Sequence, residues 1–173
     1  FIYDPATHNF ELIESGMKEP RANHKMVKAP SGLIYIFGGK TYTPASGERP
    51  SNSIEVFDPK TNQFRWASER MYSPRSGHTA TLLDESTILI AGGFTQTVPS
   101  SLSQDVSPED QRSIKASKTA ELFFIDSESV FELPRQMING RANHEAIRLE
   151  SGHILLAGGQ VNAASFSNQT IRC

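Results

Sequence analysis

The stretch Thr87-Ile88-Leu89-Ile90-Ala91-Gly92-Gly93 decides the fold of this chain. A short apolar run rich in β-branched residues is typical of a buried strand. The two glycines end the strand because they adopt backbone angles that other residues resist. The same pattern occurs twice more, over residues 32–39 and 152–159. Three copies in one chain indicate a repeat protein built from strands.

Each glycine pair follows an Arg-x-x-His segment at a fixed distance. The second glycine lies 15 residues after the histidine in every copy, from 24 to 39, from 78 to 93 and from 144 to 159. This constancy predicts a β-hairpin whose register is the same in each copy. The residues assigned to the structural motif are His24, His78, His144, Gly38, Gly39, Gly92, Gly93, Gly158 and Gly159, with Glu55 and Glu121 on the strand that follows. If Gly93 has a positive φ or touches another backbone, we expect Gly93→Val to be strongly destabilising.

Two further strands are predicted after each hairpin. In the first copy they cover residues 53–57 and 63–66, joined by the turn sequence Asp58-Pro59-Lys60-Thr61-Asn62. In the second copy they are residues 120–126 and a strand headed by Phe131. We therefore expect one partial all-β domain over 1–173. It divides into 1–14 as an outer half unit, 21–70 and 75–135 as four-stranded antiparallel units, and 141–173 as an inner half unit.

The apolar residues before Gly-Gly, the spacing Glu55-x-x-Asp58-Pro59 and the aromatic residue at the fourth strand resemble the kelch repeat of β-propellers. The resemblance implies a kelch-type β-propeller fragment with two complete blades and two half blades, in the galactose oxidase-like superfamily. Ile-Leu-Ile-Ala-Gly-Gly with Ala-Glu-Leu-Phe is more similar to bacterial kelch proteins than to animal ubiquitin-ligase adaptors. Propellers close with about 4–8 blades, so we expect further repeats on both sides, or a fragment stabilised by pairing with something else.

Composition and charge exclude several classes of function. The chain is 37% hydrophobic with a formal net charge of -2 and no basic run, which argues against a nucleic-acid partner. No apolar run approaches the ~20 residues of a membrane helix, so no membrane span is expected in this fragment. The single cysteine, Cys173, excludes a disulfide within the chain. The sequence does not indicate a cellular compartment for the protein.

The repeated arginines Arg21, Arg75 and Arg141 open the innermost strand of each copy. One hypothesis is a partial ring that binds an anion or an acidic peptide through the guanidinium groups. The other is a structural ion pair with the repeated acid, Glu55 or Glu121. Because the arginines recur in every repeat, we favour the structural role.

The histidines and glycine pairs give no reason to expect a metal or a cofactor. A three-histidine metal site needs its ligands around one ion at about 2.0–2.1 Å, and equivalent positions on successive blades diverge. We expect each histidine to hold its own blade by hydrogen bonds. The glycine pairs lack the G-x-G-x-x-G pattern that cradles phosphate.

The segment 94–118 is polar and serine-rich, and it is the least explained by the repeat. Ser107-Pro108-Glu109-Asp110 has the composition of a helix start, so we expect a long loop with about two turns of helix. We expect this loop to lie on the same face as residues 40–52 and to contribute to partner recognition, although a tolerated insertion is an equal alternative. The binding residues proposed there are Asp105, Glu109, Asp110, Arg112 and Lys115.

These observations favour a non-catalytic recognition scaffold that binds a protein or other ligand through loops 40–52, 94–118, 160–169, 69–74 and 134–140. There is no G-x-S-x-G elbow, H-E-x-x-H motif or cysteine pair in the sequence. The alternative is part of a sugar-active kelch-propeller enzyme, similar to galactose oxidase or sialic acid mutarotase, with its catalytic residues in other blades.

Overall fold

The computed structural model describes residues 1–44, 47–96 and 115–162. Within these ranges the regular elements are β-strands, with no helix, which confirms the predicted all-β class. The strands are β1 (Ile2–Asp4), β2 (Asn9–Glu11), β3 (Lys25–Lys28), β4 (Ile34–Phe37), β5 (Lys40–Thr43), β6 (Gly47–Pro50), β7 (Ile54–Asp58), β8 (Gln63–Trp66), β9 (Thr79–Leu82), β10 (Thr87–Ala91), β11 (Ala120–Phe124), β12 (Ser129–Glu132), β13 (Glu145–Arg148) and β14 (Ile154–Ala157).

The strands form two four-stranded antiparallel sheets and three two-stranded ones. Sheet I has the order β3-β4-β7-β8, and sheet II has the order β9-β10-β11-β12. Sheet III consists of β13 and β14, while β1-β2 and β5-β6 are separate hairpins. The second strand of each large sheet carries the apolar run before Gly-Gly and pairs on both sides, which buries it. The predicted division into blades stays a prediction.

Residues 40–50 differ from the sequence-based expectation. They were predicted to be a loop, but β5 and β6 pair from Lys40 opposite Pro50 to Thr43 opposite Gly47. The run Lys40-Thr41-Tyr42-Thr43 contains residues with high strand propensity, and Gly47 has a φ of 64°.

The helix start predicted at 107–110 lies outside the described residues.

The core lies between sheets I and II and is built from aromatic and aliphatic side chains. Tyr35 and Phe37 of β4 contact Phe123 of β11, with ring centroids 5.1 and 5.3 Å apart. Ile88 and Ile90 of β10 are fully buried in the same cluster. Residues two apart on a strand lie on the same face of the sheet. Tyr35 and Phe37 therefore supply the sheet I side of this core, and Ile88 and Ile90 supply the sheet II side.

Main-chain hydrogen bonds join the three sheets in sequence order at their first strands. The N–H of Gly77 donates to the carbonyl oxygen of Asn23 at 3.0 Å, and the N–H of Asn143 donates to that of Gly77 at 2.7 Å. These three equivalent residues have φ values of 54°, 63° and 52°. Glycine and asparagine are the residues that tolerate this left-handed conformation best. The backbone conformation therefore accounts for the glycine or asparagine at each of these three positions.

Candidate functional site

The repeated glutamate of the third strand is a buried hydrogen-bond acceptor. In sheet I the Glu55 carboxylate accepts from the backbone N–H groups of Lys18 at 2.8 Å and Glu19 at 3.1 Å. Arg21 Nη2 donates to the same carboxylate at 2.7 Å, and both side chains are 0% exposed. We call this set of two amides and one arginine the carboxylate receptor. Its donors compensate the cost of burying a charge.

Sheet II repeats the carboxylate receptor at the same sequence offsets. Glu121 accepts from the N–H groups of Tyr72 at 2.9 Å and Ser73 at 3.1 Å, and it forms an ion pair with Arg75. Arg75 Nη2 also donates to the Thr119 hydroxyl at 3.0 Å, as Arg21 Nη2 donates to the Ser53 hydroxyl at 2.8 Å. The repeat therefore supplies an internal acid for each of these two arginines.

This geometry favours the structural hypothesis for two of the arginines. The side chains of Arg21 and Arg75 have no exposed surface, and each already pairs with an acid. The structural role therefore stays the favoured prediction for these two residues. Arg141 differs, because it donates to the carbonyl oxygens of Leu156 and Gly158 at 3.3 Å each and no described carboxylate accepts from it.

The glycine pair joins one sheet to the next. The N–H of Gly39 donates to the carbonyl oxygen of Arg75 at 2.9 Å, and that of Gly93 donates to the carbonyl oxygen of Arg141 at 2.9 Å. A Cβ atom added to Gly38 would lie only 2.4 Å from the Arg75 carbonyl oxygen. The first glycine therefore makes room for the arginine backbone of the following sheet, and the second glycine binds it.

The histidines pack against these junctions more than they hydrogen-bond. His144 Nε2 lies 3.1 Å from the Thr79 hydroxyl, but neither ring nitrogen of His78 has a hydrogen-bond partner in the described part of the chain. His78 Cε1 instead lies 3.0 Å from where a Gly38 Cβ would be. Burial, followed by the nearby arginine, lowers the pKa of His78 to about 3 and that of His144 to about 4, and it also lowers the pKa of His24.

A pH prediction follows from His78, which is neutral when folded. The unfolded chain protonates this histidine near its ordinary pKa of 6.5, while the folded chain resists protonation down to about 3. Stability therefore falls as pH drops through this window, by at most about 1.4 kcal/mol per pH unit for one proton. In urea titrations between pH 7 and pH 4, we expect His78→Gln to have a shallower loss than the unaltered chain.

The control for the pH prediction is His153→Gln, which removes an exposed histidine from a turn. Its loss of stability with falling pH should match that of the unaltered chain. If the His78→Gln and unaltered curves run parallel over the whole range, His78 is not the source of the acid sensitivity.

A pocket of about 550 Å³ lies at one end of sheets I and II. This end carries the connections from second to third strands and from one sheet to the next. The lining residues come from three predicted binding loops and the segment before β3: Glu19, Thr41, Arg49, Pro50, Ser51, Asn52, Arg70, Pro74, Thr95 and Gln96. Sequence reasoning found the loops but missed Arg49 and Arg70, because neither recurs in the repeat.

Most of the binding residues predicted in segment 94–118 lie outside the residues that the structure describes. Asp105, Glu109, Asp110 and Arg112 lie outside the described residues. Lys115 is exposed, and its backbone forms an isolated bridge to Asn162. Thr95 and Gln96, at the start of the same segment, reach the pocket.

The sequence also did not predict a set of side-chain contacts between sheets I and II, made by Arg65, Ser68 and Glu128, which we call the clasp. Arg65 Nη1 donates to Glu128 at 3.0 Å, and the N–H of Ser68 donates to the same carboxylate at 2.8 Å. Burial alone would raise the pKa of Glu128, but the hydrogen bonds from Arg65 and Ser68 outweigh it and lower the pKa. Glu128 has a φ of 51° in a turn that lacks the Asp-Pro-x-Thr pattern, so the repeat gave no signal.

A comparison with protein-family models matches residues 29–65 to the Kelch motif. This range runs from the turn before β4 to β8 of sheet I, and the match supports the kelch repeat family. Kelch repeats commonly mediate protein interactions, and kelch domains are typically non-catalytic scaffolds. A search of curated proteins found no match to this chain.

Over residues 1–44, 47–96 and 115–162, no group of three or more histidine, cysteine, aspartate or glutamate side chains is placed to hold a metal ion. The same ranges contain no helix with the length and apolar character needed to cross a bilayer.

Proposed function

We propose that this chain is part of a β-propeller that recognises a protein partner through the 550 Å³ pocket. Sheets I and II are then complete blades within 21–70 and 75–135, and residues 1–14 and 141–173 belong to two half blades of the same domain. The constant distance of 15 residues from the histidine to the second glycine in every copy supports this division. The form Ile-Leu-Ile-Ala-Gly-Gly supports a bacterial-type kelch protein of the galactose oxidase-like superfamily.

The observation that carries the proposal is the place of the pocket among the loops. The β5-β6 hairpin, the connection from β8 to β9 and the start of segment 94–118 all contribute to its wall. These are the parts in which the repeats differ most. A rigid sheet scaffold with variable loops at one end is a common arrangement for binding.

The charges in the pocket favour an acidic segment of the partner. Arg49 and Arg70 are exposed, and neither forms an ion pair with a described carboxylate. Glu19 already accepts from Arg21 and from the Ser51 hydroxyl, at 3.3 and 3.0 Å. The pocket therefore offers two guanidinium groups that have no described carboxylate partner, and that of Arg70 lies 5.8 Å from the Trp66 ring centroid. A guanidinium group binds aspartate and glutamate side chains in a two-point geometry.

A charge reversal tests the proposal. We expect the unaltered chain to bind acid-rich members of an immobilised peptide array in preference to basic and neutral members. In Arg49→Glu/Arg70→Glu, affinity for those peptides should fall at least tenfold, because like charges then face each other in the pocket. The measurement is the apparent Kd for each array member at fixed salt.

The matched control is Lys28→Glu/Lys60→Glu, which makes the same change in charge at the opposite end of sheet I. Both lysines are exposed. If this variant loses as much affinity as the pocket variant, the effect is one of net charge and not of the pocket. No preference for acidic peptides in the unaltered chain would contradict the proposal directly.

A further inference from the structure

The dipeptide Asn-Gly occurs once in this chain, at Asn139-Gly140. It lies in the connection between β12 and β13, directly before Arg141. The equivalent pairs of the first two repeats are Glu19-Pro20 and Ser73-Pro74. The residue before the repeated arginine is therefore proline in two repeats and glycine in the third. Proline has no backbone N–H, whereas glycine has one and carries no side chain to obstruct it.

The N–H of Gly140 has no hydrogen-bond acceptor in the described part of the chain. The N–H groups on either side are held, because Met137 donates to the carbonyl oxygen of Lys118 at 2.9 Å and Arg141 donates to that of Ser117 at 3.2 Å. Proline occupies the same place in the other two repeats, so the fold does not require an N–H at this position. The Gly140 nitrogen is therefore available for a reaction with the residue before it.

Position 140 is restricted to glycine by the neighbouring backbone. A Cβ atom added to Gly140 would collide with the carbonyl oxygen of Ala116, and it would lie 3.2 Å from that of Ser117. Proline, which the other two repeats have here, also carries a Cβ atom. The close approach of residues 116 and 117 therefore accounts for an Asn-Gly pair where the other repeats have a pair that ends in proline.

The side chain of Asn139 is exposed, and no described group forms a hydrogen bond with it. The equivalent residue of four-stranded sheet I is Glu19, which also has 30% of its side chain exposed. The exposure of position 139 therefore does not depend on sheet III having two described strands. The amide carbon of Asn139 is open to water and is not held away from the Gly140 nitrogen by another contact.

We propose that Asn139 is a site of spontaneous deamidation, a reaction of one of the thermolabile residue types. The Gly140 nitrogen loses its proton to solvent base and forms a bond to the side-chain amide carbon of Asn139, and the amide nitrogen leaves as ammonia. The product is a cyclic imide. Water then adds to one of the two imide carbonyl groups and breaks its C–N bond, which gives aspartate or isoaspartate. Water is the one co-reactant.

Arg141 follows the reacting pair and favours the charged species that the reaction forms. No described carboxylate pairs with Arg141. A nearby cation stabilises both the deprotonated nitrogen that attacks and the carboxylate that results. In sheet I the acid at the equivalent position, Glu19, accepts from Arg21 Nη2 at 3.3 Å. Deamidation therefore places a negative charge where another repeat has an acid in contact with its arginine.

Asn139 does not line the pocket of Arg49 and Arg70, so the proposal goes beyond the proposed function and its test is independent. The test incubates the folded 173-residue chain in mildly alkaline buffer made with heavy-oxygen water, and then digests it with trypsin in ordinary water. Mass spectrometry compares peptide 136–141, which contains Asn139, with peptide 142–148, which contains Asn143. A heavy oxygen atom in the new carboxylate marks conversion that preceded digestion.

Asn143 is the internal control, because it is also exposed but precedes a histidine. We expect Asn139 to convert at least about tenfold faster than Asn143, since glycine leaves the attacking nitrogen unobstructed. Ion exchange of the whole chain should show an acidic species that grows with time. This species should be absent in Asn139→Ser, which has the residue of the second repeat at this position.

The same incubation in guanidinium chloride separates the effect of the fold from that of the dipeptide. We expect the folded and unfolded chains to convert Asn139 at similar rates, because the fold holds neither of the reacting groups. If the folded chain keeps its amide under conditions in which the unfolded chain loses it, the structure protects Asn139 and the proposal is wrong. Equal rates at Asn139 and Asn143, or an acidic species that persists in Asn139→Ser, would also overturn it.

Discussion

Replacing Arg75 by methionine is expected to lower the free energy of unfolding by about 3–5 kcal/mol. The substitution leaves the Glu121 carboxylate with two backbone donors and no countercharge, at a position where neither side chain is exposed. Urea denaturation at pH 7 measures the loss. The double variant Arg75→Met/Glu121→Leu should recover most of it, because it removes both charges together.

The same substitution at Arg141 is the matched control. Arg141 has the same place in its repeat but no described acid partner, so Arg141→Met should cost only about 1 kcal/mol, the scale of its hydrogen bonds to two carbonyl groups. Equal losses of unfolding free energy for Arg75→Met and Arg141→Met would show that the ion pair with Glu121 adds nothing to the cost of removing Arg75. The ion pair would then not be the main structural role of the repeated arginine.

Gly93→Val is expected to be the second large loss, about 4 kcal/mol or more, from backbone strain and a forced contact together. Gly93 has a φ of +91°, and an added Cβ would lie 2.9 Å from both the Ser76 carbonyl oxygen and His78 Cβ. The Ser76 oxygen also accepts from the N–H of Phe94, so it cannot withdraw without breaking that bond. Thermal melts should show a fall of roughly 8–16 °C.

Gly32→Val separates strain from contact. Gly32 has a φ of +92°, almost the same as Gly93, but an added Cβ there would meet nothing within 4 Å. We expect it to cost about 1–3 kcal/mol, from the backbone conformation alone. If the two variants melt within about one degree of each other, the contact with Ser76 and His78 is not what requires glycine at position 93.

The repeated parts of the molecule could be predicted from the sequence. The apolar runs before Gly-Gly occupy β4, β10 and β14, and the acid on the third strand pairs with the arginine of its own sheet. The Arg-x-x-His segment and the Gly-Gly pair recur at a constant offset, and the acid recurs on the third strand, 34 residues after Arg21 and 46 residues after Arg75. A constant offset is evidence of a shared backbone geometry, so the copies support one another in a single sequence.

The parts that are not repeated could not be predicted in the same way. Arg49 of the β5-β6 hairpin and Arg70 of the connection after β8 line the same pocket, and no spacing rule relates the two residues. Glu128 forms its clasp with Arg65 from a turn that departs from the pattern of the other copies. Such contacts depend on tertiary placement, which periodicity does not encode.

Four of the hydrogen bonds between successive sheets join main-chain atoms only: Gly39 to Arg75, Gly93 to Arg141, Gly77 to Asn23 and Asn143 to Gly77. These four bonds do not depend on which side chains the neighbouring repeats carry. A gene segment that encodes one repeat can therefore be duplicated in tandem, and the new copy brings both halves of its own junction. Lengthening the array needs no compensating substitution at these bonds, and the loops of each new copy are free to diverge.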